Sequence, residues 1–120
     1  MNERKPPLKL LSIIIPCLDE EDSIAEIIAR CLAADTLGLD IEILVVDDGS
    51  QDRSPSIVKD LQKKDPQVRL VRQATNLGKG AAIRRGFSLA MGDLILVQDA
   101  DLEYDPADYP LLLKPLVQGA

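Results

Sequence analysis

Histidine and tryptophan are both absent from the 120 residues, and the aromatics amount to one phenylalanine and two tyrosines. Without histidine there is no Ser-His-Asp or Cys-His catalysis and no His-ligated zinc. With so few aromatics the core has to be built from Leu, Ile, Val and Ala. There are two cysteines, Cys17 and Cys31, without metal-ligand spacing. Cys31 falls on an apolar helical face and reads as a small buried hydrophobe. The pair makes no disulfide framework, which points to a cytosolic, reducing compartment. No apolar run approaches the ~18 residues of a membrane span. Met1 to Lys9 is polar, carries two prolines, lacks a signal-peptide apolar region and is expected to be flexible. A net charge of −6, from 14 basic and 20 acidic residues, argues against nucleic acid as a partner, because a broad basic surface is missing.

What is present is one modest domain of ordinary globular composition, 46% apolar and 28% charged. Leu10 to Ile15 (LLSIII) is a continuous apolar run ended by Pro16, the pattern of a buried parallel strand. After an acidic turn, Asp19 to Asp22, a helix is expected. Ser23 and Glu26 have capping-box spacing, and Ile24, Ile27, Ile28, Cys31 and Leu32 form one apolar stripe. A second strand, Ile41 to Val46, runs into Asp47-Asp48-Gly49-Ser50. The second helix is expected to start with Ser54 as cap and Pro55 in its first turn, with Ile57, Val58 and Leu61 facing inward. A brief strand spans Val68 to Arg72. The turn Asn76-Leu77-Gly78 leads to a third helix over Gly80 to Met91, with Ile83, Phe87 and Ala90 on one side. A last strand, Asp93 to Gln98, precedes Asp99-Ala100-Asp101. Beyond it Pro106, Pro110 and Pro115 predict a short or broken helix.

Strands and helices alternate, so an α/β sheet with parallel crossovers is expected. In such sheets ligands bind at the carboxyl ends of the strands. Three of the four predicted strand ends carry acid-rich clusters: Pro16 to Asp22, Asp47 to Asp52, and Asp99 to Asp105. Asp99 and Asp101 repel each other unless a cation intervenes, and hard oxygen ligands suit Mg²⁺ or Mn²⁺. An acidic protein handling phosphates needs such a cation between its carboxylates and the substrate. Glu103 is placed to add an oxygen. The Asp47 to Ser50 cluster is read equally well as plain turn chemistry or as a nucleoside contact. Asp52 and Ser54 read as helix caps, and Arg84 and Arg85 as surface charges. Asn76 to Ala82 fits neither phosphate-loop pattern. A Walker A loop needs a glycine at Gln73 and a Ser or Thr at Gly80, and a dinucleotide fingerprint needs a glycine at Ile83. What remains is a flexible turn at a helix N-terminus, which favours anions, with Lys79 beside it.

Four ordered blocks, SIIIPCLDEE, ILVVDDGSQD, NLGKGAAIRRGF and MGDLILVQDADLEYDP, resemble the family-2 glycosyltransferases. The branch resembled is that of dolichol-phosphate mannose synthase and the polyprenyl-phosphate glucosyltransferases. The resemblance covers Leu10 to about Pro110. It implies the Rossmann-like GT-A fold, with residues 10–120 as the nucleotide-sugar-binding part after a flexible 1–9. Pro16, Leu18 and Glu20 would line the nucleoside pocket, although relatives often have an aromatic where Leu18 stands. Val46 and Asp48 would contact base and ribose. Asp99, Ala100 and Asp101 would be the Asp-x-Asp motif holding metal and sugar diphosphate, with Asp101 the catalytic residue. Glu103 would be a further metal ligand, and Lys79 would lie on the donor side.

Family members continue well past this motif, with an acceptor site, further strands and often the catalytic base. The 120 residues are therefore expected to be a donor-binding part. The implied reaction is inverting transfer from a UDP-glucose or GDP-mannose type donor to an acceptor such as a polyprenyl phosphate at the cytoplasmic face of a membrane. The alternative left open is a non-catalytic nucleotide-sugar-binding module or inactive fragment. A nucleotidyltransferase would carry a Gly-rich basic loop where Pro16 to Asp22 stands. A half-sheet also exposes an edge that a second copy can cover, so a homodimer is a further expectation.

Overall fold

The computed structural model describes residues 7–118. Of the N-terminal segment expected to be flexible, residues 1–6 lie outside the described residues, as do residues 119–120. The Lys9 amide donates to Asp93 Oδ2 at 2.8 Å, and the Lys9 carbonyl accepts from the Asp40 amide.

Four strands form one parallel sheet: β1 (Leu10–Cys17), β2 (Asp40–Asp47), β3 (Val68–Arg72) and β4 (Leu94–Val97). They are joined by α1 (Ile24–Ala33), α2 (Ser54–Lys64) and α3 (Lys79–Leu89). A 3₁₀ turn, Pro106–Asp108, and α4 (Tyr109–Gln118) follow. The order across the sheet is β3-β2-β1-β4. The chain thus steps outward from β1 to β3, then returns past β1 to lay down β4 on its other side. The reversal leaves a topological switch point between β1 and β4, where α/β sheets open a crevice at their carboxyl rim.

β1 is buried on both faces because it is central and both faces are covered. Leu11, Ile13, Ile15 and Cys17 pack with Ile24, Ile27, Ile28, Val58, Tyr109 and Leu113, so α1, α2 and α4 share one face. Ile14 points the other way, into a smaller cluster with Val46, Val71 and Ala82 beneath α3.

Four expectations are corrected or narrowed. Pro16 does not end β1; it lies inside the strand, opposite Val46. The Leu10 and Ile14 carbonyls accept from Asp93 and Gln98, so Pro16 continues that alternation and its missing amide faces β4 past the last ladder pair, Ile14 with Val97. No ladder bond is lost there. Second, α3 does not bury Ile83 and Phe87. Phe87 is 50% exposed, and the helix seats Ala82 and Gly86 on the sheet. A Cβ at Gly86 would come within 2.6 Å of Ile14 Cγ2, so this close approach requires glycine. Third, Ser23 forms no capping box. Its hydroxyl donates to the Ala100 carbonyl at 2.6 Å. Fourth, of the two outcomes expected after β4, a short or a broken helix, α4 is the short one: ten residues, unbroken, with Pro115 inside it.

Candidate active site at the switch point

The loops after β1 and β2 interlock through reciprocal hydrogen bonds. Asp19 Oδ1 accepts from the Gln51 and Asp52 amides, while the Asp19 amide donates to Ser50 Oγ. The Glu20 amide donates to Ser54 Oγ, and the Glu21 amide to Asp52 Oδ2. Asp52 Oδ1 also accepts from the Ser54 amide; neither residue is the expected cap, because Arg53 holds the N-cap position of α2 and Ser54 is its first helical residue. Desolvation pushes the Asp52 carboxyl up, but the Ser54 hydroxyl and the Ser54 and Glu21 amides outweigh it and hold it below the usual carboxylate range. Most of the acidic residues on this rim therefore organise backbone.

The same holds for Asp47 and Asp48. Asp47 is 1% exposed; its Oδ2 accepts from the Gly49 and Ser50 amides and lies 3.7 Å from Arg72 Nε, while Oδ1 has no partner. Asp48 points the other way, with its two oxygens accepting from the Leu77 and Gly78 amides at 2.8 and 2.9 Å. Gly49, at φ +89°, lets this turn come close: a Cβ there would meet Asn76 N at 3.1 Å and Thr75 C at 3.2 Å. The start of α3 is thereby pinned to the end of β2.

At the end of β4 the loop is tied from inside. Buried Gln98 donates to the Tyr104 carbonyl at 2.7 Å and accepts from the Tyr109 hydroxyl at 2.7 Å. Ser23 holds Ala100, and Leu102 turns the chain at φ +66°. The result brings one carboxylate oxygen from each of Asp99, Asp101 and Glu103 within 4.8 Å of one another. Three hard anionic oxygens so close fit a divalent cation of the Mg²⁺ or Mn²⁺ kind. Lys79, the first residue of α3, reaches across to Asp99 Oδ1 at 2.5 Å. That hydrogen bond raises the Lys79 pKa against a smaller desolvation, and the charges of Asp99, Asp101 and Glu103 raise it further.

These ends meet around a cavity of about 310 Å³ lined by Pro16, Leu18, Glu20, Asp48, Lys79, Asp99, Ala100 and Asp101. Of the expected substrate-binding residues, Val46 alone is withdrawn: it is 0% exposed, packed with Ile14, Val71 and Ala82 in the cluster under α3. Glu103 stands with the carboxylate group, outside the lining. Cys17 and Ala82 also line the cavity, and sequence reasoning missed both, along with the positioning hydrogen bonds of Ser23, Gln98 and Tyr109. A polar Gln98 at the end of an otherwise apolar strand was the one available signal.

Cys17 is no nucleophile. Burial pushes its thiol up to about 12; a hydrogen bond with Ser54 opposes this, and the charges of Asp47, Glu20 and Asp52 add to it. Cys31 is likewise raised, to about 11, by burial against a weaker effect of Tyr109. At pH 8 the Cys17 thiolate fraction is then roughly 1 in 10⁴. Both thiols are expected to react with a chromogenic disulfide at least ~100-fold more slowly in the native protein than in denaturant. Fast native labelling of either would contradict this burial.

The geometry has counterparts among known proteins. The undecaprenyl-phosphate 4-deoxy-4-formamido-L-arabinose transferase of Edwardsiella ictaluri is 39% identical over 114 residues, covering 93% of this chain and 35% of that protein. The Salmonella paratyphi A transferase of the same name is 41% identical over 115 residues, 94% of this chain and again 35% of that protein. The chain thus spans 35% of the length of these curated relatives. Among solved structures, glucosyl-3-phosphoglycerate synthase from Mycobacterium tuberculosis, in complex with Mn²⁺ and UDP-glucose, superposes with a TM-score of 0.73 at 25% identity, over 92% of this chain and 40% of that one. A mannosyltransferase from Pyrobaculum calidifontis, in complex with GDP-Man and Mn²⁺, gives 0.71 at 26% identity over 82% and 29%. The fold is the GT-A arrangement of these glycosyltransferases, of which the chain carries one part. With the model for glycosyl transferase family 2 matching residues 12–120, the chain belongs to that family.

Proposed function

We propose that this chain is the donor-binding part of an inverting glycosyltransferase that moves a sugar from a nucleotide-diphosphate donor to a polyprenyl phosphate. One observation carries the reading: the switch-point cavity is lined by Pro16, Leu18 and Glu20 at its β1 end and by Lys79, Asp99 and Asp101 at its β4 end, with the Glu103 carboxylate grouped beside the two aspartates. Its volume falls at the lower end of the ~300–1,000 Å³ usual for small-molecule sites. The relatives, undecaprenyl-phosphate sugar transferases, and the neighbours' UDP-glucose and GDP-Man support the two substrate classes.

Pro16, Leu18 and Glu20 line the end that takes the nucleoside. Asp48 lines the cavity with lone pairs left for a ribose hydroxyl, while each of its oxygens also accepts an amide, from Leu77 and from Gly78. Asp99, Asp101 and Glu103 would hold the divalent ion, Mg²⁺ or Mn²⁺, which would supply Lewis-acid neutralisation of the diphosphate. The bond between the anomeric carbon and the donor phosphate breaks, a new bond to the acceptor oxygen forms on the opposite face, and the nucleoside diphosphate leaves with the bonding pair. A phosphate acceptor is already anionic, so its oxygen needs no base, and positioning carries much of the rate. No helix among the described residues is long and apolar enough to cross a membrane. The site would meet its lipid-linked acceptor from the cytoplasmic face.

Calorimetric titration with UDP, GDP and their sugar conjugates, first with Mn²⁺ and then with EDTA, tests the reading. Binding of one nucleotide, lost with EDTA, is expected. A folded chain that binds none of them would rule out donor recognition by this part.

A further inference from the structure

We propose that Lys79 is an internal counter-cation for Asp99, so that its ammonium and the divalent ion are alternative partners of one carboxylate and the metal is taken up together with the donor diphosphate. The inference rests on the donor-site reading above and adds an order of assembly to it.

Three carboxylates whose oxygens lie within 4.8 Å need a positive charge among them. Lys79 supplies one, through a 2.5 Å contact with Asp99 Oδ1, while Asp99 is largely buried and Lys79 is 62% exposed. The backbone under Lys79 is fixed, since Asp48 holds Leu77 and Gly78. Its side chain, by contrast, is a flexible stem largely in solvent, free to turn. A divalent ion coordinating Asp99 would sit only a few ångströms from an ammonium on the same carboxylate, and the two would repel. Metal alone must therefore displace Lys79 without offering it another partner. A diphosphate offers that partner: its oxygens can take the ammonium at the N-terminus of α3, whose backbone amides also favour anions. Asp99 is then released to the metal. Binding of metal and of diphosphate must strengthen each other by the same factor, because linkage is reciprocal.

The test is Mn²⁺ affinity by calorimetry, with no turnover required. Wild type, Lys79→Met and Asp101→Asn are compared, each with Mn²⁺ alone and in the presence of UDP or GDP, with folding checked by circular dichroism. Lys79→Met is expected to bind Mn²⁺ alone about 10-fold more tightly than wild type. A metal shared between Asp101 and the diphosphate couples the two in both proteins, so the diphosphate is expected to strengthen Mn²⁺ binding in each, and by about 10-fold more in wild type than in Lys79→Met. Unchanged or weaker Mn²⁺ binding by Lys79→Met, with binding still lost in Asp101→Asn, overturns the counter-cation role and leaves the donor site standing. An equal gain with and without diphosphate overturns it too, as a mere background charge effect. Failure of folded wild type and Lys79→Met alike to bind Mn²⁺ under any of these conditions overturns both readings.

Discussion

Asp101→Asn is expected to weaken Mn²⁺-dependent nucleotide binding by about 100-fold, close to 2.7 kcal/mol, while moving Tm by no more than about 2 °C. The two halves of this expectation have separate causes. Asp101 is exposed, and within the protein its Oδ1 accepts a local hydrogen bond from the Glu103 amide at 3.1 Å. An asparagine oxygen accepts that bond as well, so the loop keeps its shape. Loss of one charge from three crowded carboxylates also relieves repulsion, which opposes any destabilisation. What the amide cannot replace is an anionic oxygen toward a hard cation. Titration with Mn²⁺ and the preferred nucleotide, beside a thermal melt, separates the outcomes. Unchanged affinity would remove Asp101 from the ligand set. A large fall in Tm would make it a structural residue.

β1 and β2 were legible because central parallel strands leave continuous apolar runs, and β3 and β4 as shorter runs between helices: β3 spans the expected residues, and β1, β2 and β4 differ by one or two at their ends. The rim was legible because acids cluster where those runs stop. Contacts made at long range were not. Ser23 looks like a capping residue from its neighbours alone, but its partner is the Ala100 carbonyl, 77 residues away. On α3 the periodic large residues suggested the buried face, whereas the close approach to Ile14 selects Ala82 and Gly86 and leaves Phe87 outside. Hydrophobic periodicity cannot report a helix that packs through its small residues. Asp48 carries a second role that residue type did not suggest: it lines the cavity, and each of its two oxygens also accepts an amide of the α3 turn.

That division between acids that shape the rim and acids free to bind narrows the chemistry. Asp19, Asp48 and Asp52 accept backbone amides from other loops, and buried Asp47 accepts those of its own turn. Asp99, Asp101 and Glu103 make few such bonds; the cation Lys79 and one local amide account for the partners of Asp99 and Asp101. Negative charge is therefore concentrated, and left available, at one end of the cavity. The β1 side presents Pro16 and Leu18, which suit a flat nucleoside. The two ends differ as the two ends of a nucleotide sugar differ.

Gly92→Ala is expected to cost about 3 kcal/mol and lower Tm by about 10–15 °C, the largest stability effect of a single methyl in this fold. Gly92 links α3 to β4 at the amino end of the sheet. A Cβ there would lie 2.5 Å from Ser12 Oγ, 2.7 Å from Ser12 N and 2.8 Å from the Leu94 carbonyl oxygen. Two of these atoms are backbone, so no rotamer relieves the clash and β4 must move away from β1. The same spot holds a buried polar network. Ser12 Oγ accepts from the Gly92 amide at 2.8 Å and donates to Glu42, whose Oε2 also accepts from the Met91 amide at 2.7 Å. Moving residue 92 outward leaves the buried Ser12 short of a partner, which adds to the steric cost. Ser12→Ala in the Gly92→Ala background removes one of the three close contacts and should therefore restore less than half of the lost stability. The cavity proposed for the donor sits at the other end of these strands, beside the loop tied through Gln98 and Tyr109, so nucleotide affinity well below the transition should change by less than about 3-fold. A Tm shift under about 3 °C would mean that residues 90–93 can sidestep the clash, and that β4 is held to β1 by less than its ladder implies.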